Sequence, residues 1–255
     1  MTTRKRPKTI KHTARRKETK KMTTCWDLAE TAVTAKAQRL LIWGPKGLAK
    51  SRWAQDILAQ SHNNVSQCTL NEDLAVQELL GHYIPKGTAF QWHDGPVMEA
   101  FRSGSGLVVN EIGRASGAVH DMFLAVLDDA TVSKIALANG ENVKPGAHFQ
   151  VIATSNAAPD ALDEALHDRF DAIIEINCPH PGLIDHLNEK RNGLGTVIAR
   201  SYQDKARTIS PRRALAFISF TLNGVKEETA ALLAFGKLAK DVLVALATIP
   251  VASGK

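Results

Sequence analysis

Apolar and polar positions along this chain follow two rhythms. Up to about residue 180, short apolar runs alternate with stretches of helical spacing. Past Pro179 and Pro181 only the helical spacing remains. Residues 24–37 predict a helix that leads into a strand at 40–43, Leu40 to Trp43. A helix from about 50 to 60 and a strand at 65–70 follow. Leu74, Val76, Leu79 and Leu80 space a short helix over 73–80, stopped by Gly81. Residues 82–93 read as extended, with a Pro-Lys-Gly turn at 85–87, and Pro96 opens a helix through Phe101. The run 106–112 is apolar enough for a strand buried on both faces of a parallel sheet. Residues 118–128 are helical. Asn139-Gly140 marks a hairpin turn between two short β-rich segments. Residues 149–154 and 171–176 supply two more strands. The remaining stretches, 182–191, 195–206, 211–222 and 226–247, are helical. Strands alternating with helices predict an α/β class, a parallel sheet between helices, followed by a smaller all-helical unit. The boundaries read this way are 1–22 for a tail, 23–180 for the αβα unit and 181–255 for the helical unit.

Composition narrows this picture in two places. No apolar run in the 255 residues approaches the roughly 18 that a membrane-spanning helix needs. The start of the chain has no apolar signal-peptide core. The three cysteines (Cys25, Cys68, Cys178) are odd in number and far apart. They imply no disulfide framework and fit a reducing compartment, so the cytoplasm is the expected location. The net charge of +6 divides unevenly. Residues 1–21 hold ten Lys or Arg and one acid, Glu18, a balance of +9. The rest holds 22 basic and 25 acidic residues, a balance of −3. A basic tail without apolar periodicity is expected to be disordered when free. Its ligands would be nucleic acid, an acidic partner or an anionic surface, unless it only solubilises the chain.

The residues with most chemical content lie where the first strand ends. Leu40 to Trp43 breaks at Gly44, and Gly44-Pro45-Lys46-Gly47-Leu48-Ala49-Lys50-Ser51-Arg52 opens the next helix. Strand, Gly-rich loop and helix in that order form a phosphate cradle. Loop N–H groups and the positive helix end face the phosphates. Lys50 adds a mobile cation and Ser51 an oxygen for Mg²⁺. The pattern GxxxxGK[ST] has Ala49 where its last Gly falls, which is expected to fit if that position is already helical. The strand 106–110 ends in Asn110-Glu111, where the first position would hold Mg²⁺ and the second would polarise an attacking water. Asn156 ends strand 149–154 and could orient that water. Arg169 precedes the last strand and could neutralise transition-state charge at a neighbouring subunit's site. Pro211 begins a helix and places Arg212 or Arg213 in its first turn.

In this order and spacing, residues 24–222 resemble the AAA+ ATPases, and within them the MoxR group. The loop with Ala before Lys50 is similar to that group's own variant. Glu78-Leu-Leu-Gly81 followed by Phe90-Gln-Trp-His-Asp-Gly-Pro96 is similar to its β–α–β insert, placed near 82–105. Asn110-Glu-Ile-Gly-Arg-Ala115 is similar to its Walker B segment, with Asn110 in place of Asp and Gly113 in place of Asn. The resemblance implies an AAA+ P-loop domain with a five-stranded parallel sheet and a small C-terminal helical lid. It also implies sensor 1 at Asn156, a trans-acting finger at Arg169 and sensor 2 at Arg212. ATP and Mg²⁺ are the implied cofactors, with Ser51 and Asn110 as the metal residues. The implied assembly is a homo-oligomeric ring, commonly a hexamer. It would work as a chaperone on a protein partner, which can carry a von Willebrand factor A domain on a separate chain.

Two other functions stay open on the sequence. Asn110 suits an ATP-binding scaffold with slow turnover, and the basic tail suits a nucleic-acid motor or loader. The nine histidines show no metal-ligand spacing. Trp43 reads as core packing or as a border to an adenine. Trp92 reads as a partner anchor or as packing within the insert.

Overall fold

The computed structural model describes residues 24–203 and 208–250. The basic tail therefore lies outside the described residues. Helix α1 (Cys25–Thr34) is opened by a capping box, in which the Thr24 side chain accepts from the Asp27 N–H and the Asp27 carboxylate accepts from the Thr24 N–H. It leads into β1 (Arg39–Trp43), α2 (Lys50–Leu58), β2 (Val65–Thr69) and α3 (Val76–Leu80). Strands β3 (Gly81–Lys86) and β4 (Ala89–Asp94) pair antiparallel as a separate hairpin. The next elements are α4 (Pro96–Ser103), β5 (Gly106–Asn110) and α5 (Gly117–Val126). The short hairpin β6 (Ile135–Ala136) and β7 (Asn142–Val143) forms around Asn139-Gly140, as the turn signal predicts.

Strand β8 (Gln150–Ser155), the one-turn helix α6 (Glu164–His167) and β9 (Ala172–Glu175) complete the sheet-bearing part. The main sheet has the order β2-β5-β8-β1-β9, and every pairing in it is parallel. Its strands are apolar because helices cover both faces. One face packs Leu41, Leu107, Val109 and Val151 against Phe101 and Phe123. The other packs Leu40, Ile42, Val108 and Ile152 against Trp26, Trp53 and Leu58. Alternate residues of the same strands thus serve opposite layers.

Helices α7 (Pro181–Lys190), α8 (Leu194–Gln203), α9 (Pro211–Leu222), α10 (Glu227–Phe235) and α11 (Ala239–Ala247) follow. They enclose a core of their own around Leu187, Ile198, Phe217, Phe235 and Val242. This is the α/β fold with a helical lid.

Two local expectations change. The helix expected over 226–247 breaks in two, because Gly236 takes φ 58° and ψ −123°, a conformation no helix can continue. The turn expected at 85–87 moves to Gly87-Thr88. Pro85 and Lys86 stay in β3, paired with Phe90 and Ala89, and Gly87 supplies the positive φ of 63°. No helix among the described residues is long and apolar enough to cross a membrane.

Candidate functional site

Because all five strands of the main sheet run the same way, residues that end them meet along one edge. Trp43 stands level with Ser155, and Thr69 with Asn110. That register brings the loop after β1, the pair Asn110-Glu111 and Asn156 together, although 112 positions separate Gly44 from Asn156.

The loop wraps around its own lysine. Lys50 Nζ donates to Gly44 O at 2.7 Å, to Pro45 O at 3.0 Å and to Asn156 Oδ1 at 3.0 Å. Asn156 Nδ2 in turn donates to Glu111 Oε1. One amide therefore links a buried ammonium to a carboxylate. Burial lowers the Lys50 pKa to about 8, and the nearby Glu111 charge opposes that shift. A cation held in a cradle of backbone carbonyls, with its pKa pulled down, is a site that an anion would complete. This fits a polyphosphate.

Ala49 corrects the reading made from sequence. It is not helical. It has φ 65° and ψ 26°, left-handed, and α2 begins one residue later at Lys50. The conformation is the one a Gly would favour. Among the described residues only Lys36, Ala49 and Glu111 are non-glycine residues with positive φ, and two of them sit here. Ala49→Gly is expected to stabilise the fold by about 1 kcal/mol, read as a raised urea midpoint with an unchanged slope.

Close approach to backbone requires glycine at position 44, and a positive φ of 87° favours it at position 47. A Cβ on Gly44 would stand 2.1 Å from Ile176 O, and one on Gly47 would stand 2.2 Å from Ser210 Oγ. The second contact puts the start of α9 directly on the loop. Arg212 and Arg213 then fall in the first turn of α9, both exposed. Ser51 lies half-buried in the first turn of α2, and Leu48 is fully buried. Pro45 and Lys46 are exposed. Arg52 points away into solvent, where its Nε donates to both oxygens of Asp56 at 2.8 and 2.9 Å.

Asn110 is only 5% exposed and both ends of its amide are engaged. Nδ2 donates to Cys68 O at 3.3 Å, and Oδ1 accepts from Thr154 Oγ1 at 3.2 Å. It ties three adjacent strands, β2, β5 and β8, at the site edge. An Asp there could not donate to Cys68. Asn110→Asp is expected to cost about 1–3 kcal/mol in chemical denaturation, since a carboxylate would be buried against an unsatisfied carbonyl.

Arg169 is not brought to this edge. It precedes β9, at the opposite end of the sheet, where the neighbouring Asp171 N–H donates to Arg39 O. From Arg39 to Trp43 the strand rises roughly 13 Å. Arg169 Nε lies 3.6 Å from an Asp128 oxygen and is buried without a hydrogen-bond partner. Thr154 and Asp128 carried no signal in the sequence, and the contact of Ser210 with the loop did not either. Each is an ordinary polar residue whose partner is distant in the chain, so only the fold shows what it touches.

Of the two readings of Trp92, the structure shows packing within the insert. Trp92 is half-buried, its Nε1 donates to Asp94 at 2.7 Å, and it packs edge-on to Tyr83. The exposed ring on that hairpin is Phe90, at 72%. His82 and His93 face each other across the same hairpin. Among the described residues no cluster of His, Cys, Asp or Glu could hold a metal.

Strand order, loop and site define a P-loop ATPase architecture, and comparison with known proteins gives the family. Residues 39–170, just over half of the chain, match the AAA domain of the dynein-related subfamily. The chain belongs to this family, as a MoxR-like AAA+ ATPase. It is 24% identical over 215 residues to protein NorQ of Paracoccus denitrificans, covering 78% of this chain and 79% of NorQ. It is 23% identical over 171 residues to protein CbbQ of Hydrogenophilus thermoluteolus, covering 66% and 63%. It is 26% identical over 186 residues to Midasin of Dictyostelium discoideum, covering 64% of this chain but 3% of Midasin. Among solved structures, a RuvB variant of Thermotoga maritima superposes with a TM-score of 0.52 at 16% identity, over 86% of this chain and 69% of that one. The Thermotoga maritima RuvB Holliday junction branch migration motor gives 0.50 at 15% identity, over 84% and 64%. At such identities the likeness concerns the fold alone.

Proposed function

We propose that this protein hydrolyses ATP in a homo-oligomeric ring and uses the cycle to remodel or activate a protein partner. The observation that carries the reading is the Lys50–Asn156–Glu111 chain at the rim of a Gly-rich loop. Residues 44–51 would hold the triphosphate, with Lys50 exchanging its loop carbonyls for phosphate oxygens. Ser51 would supply the protein oxygen to Mg²⁺, which would neutralise charge on the phosphates. Asn110 would be the second residue toward Mg²⁺, since its Oδ1 keeps a lone pair beside the one that accepts from Thr154, and its Nδ2 holds the strand ends in place. Glu111 would take a proton from the attacking water, and Asn156 would orient it. The start of α9, seated on Gly47, would report the state of the loop to the lid through Arg212. Arg169 would act on the site of the next subunit, since its own site is out of reach.

The domain boundaries that suit this reading are those drawn at 23–180 and 181–255, with the lid hinged near Pro181. The β3–β4 hairpin, carrying exposed Phe90 and Tyr83, offers a contact surface for the partner. Hexameric size, a partner with a von Willebrand factor A domain and a cytoplasmic setting are parts of the same proposal. The test is release of inorganic phosphate by the purified full chain. Turnover should require both ATP and Mg²⁺ and should be saturable. Tight nucleotide binding and ring formation with no phosphate release would favour the scaffold reading, which Asn110 motivates. For a nucleic-acid motor, nucleic acid would have to stimulate turnover.

A further inference from the structure

Cys25 and Cys178 are 153 residues apart in sequence, yet their sulfurs lie 3.3 Å from one another. Cys25 is the first residue of α1. Cys178 lies in the connector between β9 and α7, the segment that joins the sheet-bearing part to the lid. Their closeness is fixed by buried packing. Trp26, 1% exposed, donates from Nε1 to Cys178 O at 2.9 Å. Its ring packs against Trp53 of α2 at 5.6 Å and against His180 at 5.1 Å between centroids. The connector begins at the loop itself. Ile176 N donates to Trp43 O at 2.7 Å, and Ile176 O is the atom that excludes a side chain from Gly44. Both thiols are free and partly accessible, whereas Cys68 is buried in β2.

We propose that Cys25 and Cys178 form a reversible dithiol–disulfide pair that staples α1 to the connector entering the lid. A disulfide needs sulfurs about 2.05 Å apart, so side-chain rotation and a small approach of the two elements suffice. The oxidant is a low-molecular-weight disulfide such as glutathione disulfide. The Cys25 thiolate attacks one sulfur of it and releases one glutathione thiolate. The Cys178 thiol then loses its proton, attacks the Cys25 sulfur of the mixed disulfide and releases the second glutathione. Two protein thiols become one disulfide, and one glutathione disulfide becomes two thiols. Burial, reinforced by the hydrogen bond to Cys25, raises the Cys178 pKa above the usual thiol range, which makes the closing step the slow one.

The test is equilibration of the full chain in glutathione buffers of graded redox poise, followed by alkylation and non-reducing peptide mapping. The expected product is a cross-linked peptide pair containing Cys25 and Cys178, lighter by two hydrogens, and absent in Cys25→Ser and in Cys178→Ser. The oxidised wild type should melt about 5 °C or more above its reduced form, because the bridge closes a long loop. Dithiothreitol should reverse the shift, and neither Ser variant should show one. Glutathione adducts without the cross-link would overturn the proposal. So would two fully alkylatable thiols at the most oxidising poise, or a bridge that engages Cys68.

Discussion

Glu111→Gln is expected to lower ATP turnover by about 10²–10⁴-fold while leaving nucleotide affinity nearly unchanged. Glu111 holds a left-handed backbone at the end of β5, with φ 58°. Its carboxylate receives the Asn156 amide, and its charge bears on Lys50. Gln keeps the shape and an acceptor oxygen, so the contact with Asn156 survives. What it loses is the ability to take a proton. The phosphate cradle is built from the loop and Lys50, so binding is preserved. Phosphate release under saturating ATP, set beside calorimetric binding of ATP, separates the two effects. A variant with undiminished turnover would remove Glu111 from the mechanism.

Arg169→Ala is the second large effect, a loss of about 10³–10⁵-fold in turnover with intact nucleotide binding. The loss arises from position. Arg169 stands at the amino-terminal edge of the sheet and Lys50 at the carboxyl-terminal edge. Within one subunit the guanidinium has Asp128 beside it at 3.6 Å and an Nε without a hydrogen bond. The side chain is 33% exposed, so the outer part of the guanidinium stays open to phosphate oxygens that another chain would bring, while the buried Nε faces Asp128. Asp128→Asn would distinguish this role from a merely structural ion pair. If the Arg169–Asp128 contact only held the fold, that change would mimic Arg169→Ala in thermal melts and in turnover alike.

Most of the fold was legible in the sequence because it rests on local patterns. Continuous apolar runs marked the buried strands, and Asn139-Gly140 marked β6–β7. Gly44 and Gly47 marked the loop; the Ile176 carbonyl leaves no room for a side chain at Gly44, and Gly47 holds a positive φ of 87°. The site was legible as a set of strand ends, since parallel strands gather their carboxyl termini. What failed was local geometry that tertiary contacts decide. Ala49 looked helical because Lys50-Ser51 already is, but the loop needs a left-handed residue there to turn Lys50 inward. Residues 226–247 carried an unbroken apolar rhythm, and the single Gly236 was enough to split it. Trp92 stood open between a surface anchor and packing within the insert; Asp94 and Tyr83 decide for packing, and Phe90 is the ring left outside. Cys25 and Cys178 were read as far apart, since chain separation says nothing about the packing of Trp26 that brings them together.

The central claim is that residues 44–51 grip ATP in a pocket that a second copy of the chain completes. Mixing the two inactive variants tests it most directly. A subunit with Arg169→Ala keeps its own Glu111, and a neighbour with Glu111→Gln still supplies Arg169. Co-assembly of the two should therefore restore ATP turnover to a substantial fraction of the wild-type rate, while each variant alone stays inactive. Mixed assemblies that form but remain as inactive as either variant alone would contradict the account.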